Sequence, residues 1–217
     1  MESRSRIKRL ERVAGANPGP AFAQPALGRV DPEPPNLVTT TPNDVLHFWR
    51  EAGPSRWFAR SDSFDDAIRL RFEPAHHAAA RGEHDGWARD AEGALALLIL
   101  LDQVPRNLYR GSAHAYATDP KARSVARAAV GGGFPAQVEP PLRQFFVLPF
   151  EHSEAPSDQA EAVRLARALN DPDILKWAQI HADVIARFGR FPHRNRALGR
   201  TTTPEEQAFL DEGGFGG

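Results

Sequence analysis

The 217-residue chain has no cysteine and only one methionine, the first residue. It therefore has no disulfide framework, no thiolate metal site, no iron–sulfur cluster and no cysteine nucleophile. It has only three lysines, Lys8, Lys121 and Lys176, beside 24 arginines. The formal net charge is −1, which argues against a general nucleic-acid coat resting on many basic phosphate contacts. No apolar run reaches the roughly 18 to 20 residues of a membrane span. The Arg-rich start, with Glu2 and Glu11 in it, has no apolar stretch behind it, so a secretory signal is not expected. A cytoplasmic protein without nucleic-acid or membrane partners is the expectation. Composition leaves the oligomeric state open.

Strand patterns are scarce as well. Val, Ile and Thr are few, Ala is abundant, and no run alternates with period two. The punctuation is helical instead. Residues 1–36 hold six prolines and no sustained period, which predicts a disordered extension ahead of one folded domain over 37–217. Thr41-Pro42-Asn43-Asp44 reads as an N-cap, a proline in the first turn and an acid near the helix start. Seven further helix starts follow, near Ser63, Asp90, Asp119, Glu139, Ser157, Asp171 and Thr203, the last a capping box with Glu206. Pro74 is expected to kink or shorten the second helix, and Pro105 to end the third. Pro149 is expected to end the fifth. The Gly-rich C-terminus is expected to fray. The fold class is all-α, a single domain of about eight helices.

Two helices carry polar groups on their apolar stripe. Asp102 falls on the face of Leu95, Leu98 and Ile99. His181 falls among Trp177, Val184, Ile185 and Phe188. A histidine so placed is either a hydrogen-bonded core residue or a general acid or base. His76, His77 and His84 read as surface residues. Both polar helices end in a proline followed by Arg-Asn: Pro105-Arg106-Asn107 and Pro192-His193-Arg194-Asn195. Arg187, Arg190, Arg194, Arg196 and Arg200 form a stretch of charge +5, with no acid between Val184 and Pro204. Such a cluster is solvated, paired with acids, or filled by an anion. Residues 144–163 carry four acids and no Lys or Arg, and so are candidate partners. The turn Glu151-His152-Ser153-Glu154 lies in that segment. Its His-x-Glu spacing lacks helical metal-site geometry, so no metal and no cofactor are expected.

Three word groups occur in order. They are Leu100-Leu101-Asp102-Gln103-Val104-Pro105-Arg106-Asn107, Leu148-Pro149-Phe150-Glu151-His152-Ser153-Glu154, and Arg187-Phe188-Gly189-Arg190-Phe191-Pro192-His193-Arg194-Asn195, with Leu198-Gly199-Arg200 closing the last. Together they resemble the bacterial family called domain of unknown function 924, over roughly residues 42–212. The resemblance implies an all-helical, tetratricopeptide-like fold of antiparallel helix pairs and carries no reaction with it. Three functional readings follow. In the first, Arg106, Arg190, Arg194 and Asn195, with Asp102 and His193, hold a small anionic ligand while His152, Glu154 and His181 act as catalytic proton-transfer groups. In the second, the arginines wall a groove for an acidic peptide. In the third, the same residues are buried ion pairs that join helix ends.

Overall fold

The computed structural model describes residues 39–216. The expected extension over 1–36 lies outside the described residues. Every regular element among those described is helical, so the chain is all-α. In order these are α1 (Pro42–Ala52), α2 (Pro54–Trp57), α3 (Asp62–Arg81), α4 (Ala91–Leu98), α5 (Val104–Leu108), α6 (Asp119–Gly131), α7 (Leu148–Glu151), α8 (Pro156–Leu169), α9 (Pro172–Phe188) and α10 (Pro204–Asp211), linked in several places by short 3-10 turns. The capping chemistry seen in the sequence sets several starts. Thr41 and Thr203 each form a complete capping box, and Asp90 and Asp171 accept from first-turn amides.

The core centres on α4, every residue of which is buried except Glu92. Helices α1 and α6 pack on it, as does the 3-10 turn Asp85–Arg89. Gly93 permits that last approach, because a Cβ there would collide with the Trp87 carbonyl. Aromatic rings of Phe48, Trp49, Phe64 and Phe145 close one end. Helices α8 and α9 pack against each other. They are joined by only two residues, of which Asn170 takes a left-handed conformation (φ 56°).

Prolines act differently from their expected roles. Pro74 lies inside α3, which runs unbroken to Arg81. The proline is exposed, while Phe72, Ala75, His76 and Ala79 around it are buried and hold the second half of the helix to the core. His76 is thus a core residue, not a surface one. Pro149 sits in the first turn of α7 and opens it, and the stretch Pro140–Phe146 before it is a 3-10 helix.

Pro105 does not end its helix either. Residues Ile99–Gln103 form a π-helical turn, and the chain continues into α5. A proline inside a helix lacks the N–H that Leu101 needs and crowds that carbonyl. Widening the turn relieves the crowding, and the Val104 amide then bonds the Ile99 carbonyl, five residues back. The carbonyls released take side-chain donors from three places. His76 Nδ1 donates to Leu100 O at 2.8 Å, Thr118 Oγ1 to Leu101 O, and Arg106 to Asp102 O at 2.8 Å. Thr118→Val leaves the Leu101 carbonyl without a donor in a buried place. It is expected to lower stability by about 1–3 kcal/mol, read from the midpoint of urea unfolding.

Candidate functional site

The π-turn fixes where Asp102 goes. Its carboxylate is 2% exposed and takes three contacts: His152 Nδ1 at 2.8 Å, Gln103 Nε2 at 2.6 Å and Arg106 at 3.1 Å. Arg106 also forks onto Asp119 with bonds of 2.9 and 3.0 Å. His152 follows α7 directly, and Arg194 donates to its carbonyl at 2.9 Å. Arg194 lies in the turn Pro192–Arg194, sandwiched between the rings of Phe191 (4.3 Å) and Tyr116 (4.6 Å). His181 of α9 meets His152 edge to face at 5.9 Å and donates from Nδ1 to the Trp177 carbonyl at 2.8 Å. The Glu151 carboxyl stands 3.5 Å from His181.

Burial decides most charge states here. It pushes His152 and His181 down to about 4, and His193 to about 3. For His152 the Arg106 charge adds to burial, and the two together overcome the upward pull of Asp102. Glu151 is pushed up to about 8 by burial first and by the Asp102 charge second. The Glu151–His181 contact therefore joins a neutral carboxyl to a neutral imidazole at pH 7, and is not an ion pair. Burial also opposes ionisation of Asp102, but Arg106 and His152 overcome it and hold its carboxyl below the usual range. Arg194 is lowered to about 10 by burial and then by Arg106, and stays charged. With Arg106, Arg194, Asp102 and Asp119 ionised, these groups sum to zero.

The remaining expected site residues sit apart. Glu154 is gripped by Arg200 at 2.8 Å on both oxygens and accepts from the Phe191 amide. Arg190 forks onto Glu206, the capping-box residue of α10, which also takes Asn195 Nδ2 at 3.1 Å. The fork draws Glu206 down to about 2. Of the five arginines in the +5 stretch, α10 takes two, Arg187 and Arg190 pairing with Glu205 and Glu206, while Arg194 lies 3.8 Å from Asp119. Only Arg200 forms an ion pair with the acidic 144–163 segment, because Asp158 is taken by Arg123 and Arg127 and Glu161 by Arg164.

Four participants escaped the sequence reading. Glu151 and Asp119 were visible as acids near His152 and a helix start. Tyr116 and Phe215 gave no signal. The C-terminal glycines do not simply fray: the left-handed Gly213 (φ 78°) turns the chain, and Phe215 packs 4.4 Å from His181 and 5.3 Å from His193.

Fold and site define an all-helical protein with a buried, charge-balanced cluster of carboxylates, guanidinia and imidazoles where its helix ends meet. The sequence model of the bacterial family of unknown function called domain of unknown function 924 matches residues 45–214, and the chain belongs to that family. It is also similar to a solved protein of unknown function from Agrobacterium tumefaciens. The two share 49% identity and a TM-score of 0.77, over 79% of this chain and 97% of that one. No curated protein matches significantly. No helix among the described residues is long and apolar enough to cross a membrane.

Proposed function

We propose that the chain binds a small carboxylate or phosphate beside the Asp102–His152 pair, with His152 Nε2 as the proton acceptor of the site. The observation that carries this reading is a concentration of buried polar atoms without partners. Arg194 Nε, Glu151 Oε2 and His193 Nδ1 all lack a hydrogen bond, and all three belong to the cluster around His152. Buried groups of this kind are normally satisfied in native proteins, so several in one place mark a position for water or a ligand. Asp102 takes the Nδ1 proton of His152, which leaves Nε2 as a lone pair. The His152 and Arg106 side chains keep 13% and 17% of their surface exposed.

Charge balance adds a condition. Because the groups sum to zero, an arriving anion is best accommodated together with a proton, and the neutral imidazoles are the available acceptors. Affinity is therefore expected to rise as pH falls from 7 towards 5, by up to about tenfold per unit for one proton taken up. A thermal-shift screen of small carboxylates and phosphates tests the first part. A ligand at a hundred times its Kd adds about 2.7 kcal/mol, or roughly 5–10 °C for a chain of this length. His152→Gln should flatten the pH dependence. A broad panel that shifts nothing at millimolar concentration would sink the proposal.

A structural network is the second reading, favoured by the burial of Asp102 and its three partners. It predicts a loss of stability on mutation with no anion response. The acidic-peptide groove has less support, since Arg190 is held by Glu206 and Arg194 is buried.

A further inference from the structure

We propose that His76, His77 and His114 form a binding site for a divalent transition-metal ion of the zinc type. The first two are successive residues of α3, and the third comes from the 3-10 turn Ala113–Tyr116. One ring nitrogen of each lies within 4.8 Å of the others. Tetrahedral zinc with nitrogen bonds of about 2.0–2.1 Å places its ligands about 3.4 Å apart. The three rings thus need to close by roughly an ångström, within reach of χ2 rotation.

The surroundings are those of a ligand set. Metal-bound imidazoles usually give their second nitrogen to a carbonyl or carboxylate, which fixes ring and tautomer. His76 Nδ1 does this with the Leu100 carbonyl at 2.8 Å, so Nε2 keeps a lone pair. His77 Nε2 lies 3.1 Å from the Tyr109 hydroxyl, which in turn donates to Glu73 Oε1 at 2.9 Å. The Tyr109 ring stacks on His114 at 4.4 Å and 14°, so the same tyrosine orients two of the three imidazoles. His76 is buried, His77 partly so and His114 exposed. The site therefore opens to water on one side, where a further ligand can enter. Three histidines from two elements, with ring nitrogens within 4.8 Å of one another, suit a borderline cation such as Zn²⁺ better than a hard ion that prefers oxygen.

The test uses the full chain without a histidine tag. Zn²⁺ titrated by calorimetry should bind one ion per chain, and Co²⁺ should give visible absorption bands of low coordination number. His114→Ala changes an exposed turn residue and leaves the fold intact. It should weaken binding by at least about tenfold, and Tyr109→Phe by about tenfold through the lost orientation. His47→Ala, at an exposed histidine outside the cluster, should bind as the wild type does. Circular dichroism of each variant confirms folding before titration. Absence of saturable one-to-one binding at micromolar Zn²⁺, or binding unchanged in His114→Ala, would overturn the proposal and leave the three histidines as an aromatic stack.

Discussion

Asp102→Asn is expected to lower the melting temperature by about 6–12 °C. The carboxylate is buried, and breaking one partner of a buried ion pair costs about 3–5 kcal/mol, because the other charge is left uncompensated. Arg106 keeps its fork to Asp119 in the variant, which places the cost at the lower end, about 3 kcal/mol. For a domain of this size each kcal/mol moves the melting point by about 2–4 °C. Asparagine also reverses the demand on His152. An amide nitrogen facing Nδ1 forces a flipped side chain or the other imidazole tautomer. Calorimetry of the variant, with Arg106→Gln and the double change to complete a cycle, separates the pair from its surroundings. A melting point within about a degree of wild type would mean that Asp102 does not anchor these helix ends.

Glu151→Gln should do the opposite at alkaline pH. The folded-state carboxyl titrates at about 8 against an ordinary value of 4.5. Between those values the folded chain holds a proton that the unfolded chain has released. Stability therefore falls as pH rises from about 4.5 to about 8, and is level beyond. At about 1.4 kcal/mol per pKa unit the loss across that window is on the order of 3–5 kcal/mol. Glutamine keeps the neutral shape and has no proton to lose. The variant should match the wild type near pH 4.5 and exceed it by several kcal/mol at pH 8.5. The buried histidines act in the other direction. Their folded-state values lie below the ordinary 6.5, so their contribution is lost as pH falls from about 6.5 towards 4. Urea unfolding of both proteins across pH 5–9 checks this, and parallel curves for the two would refute a neutral buried Glu151.

The helical class and most helix starts were readable because capping is local. Thr41, Asp90, Asp171 and Thr203 each satisfy amides within three residues of themselves. Asp102 and His181 were readable as buried because helical period alone puts them on an apolar face. The partners were not readable. Nothing near Asp102 in sequence indicates that its imidazole comes from position 152, or that Arg190 is held by Glu206 rather than by the acids of 144–163. Those pairings are set by which helix ends meet in space. The prolines misled for a related reason. Pro74 and Pro105 are breakers only if the rest of the helix gains nothing by continuing, and the buried residues beyond each show that it does gain. His76 read as a surface residue beside His77 because its apolar neighbours on α3 are spread over two turns.

The π-turn at Ile99–Gln103 acts as a one-residue phase shift in the helix that carries it. Each residue of an α-helix advances the side chains by about 100°. Removing one residue from the turn would take out the widening that accommodates Pro105 and swing Arg106, Asn107 and Leu108 around the axis by that angle. Arg106 would leave Asp119, Asn107 would leave Asp65, which it now holds at 2.7 Å, and Leu108 would turn out of the core. The spacing between Asp102 and Arg106 is therefore a matter of residue count as much as of residue identity. Single-residue insertions and deletions between 99 and 105 should be tolerated less than any substitution there.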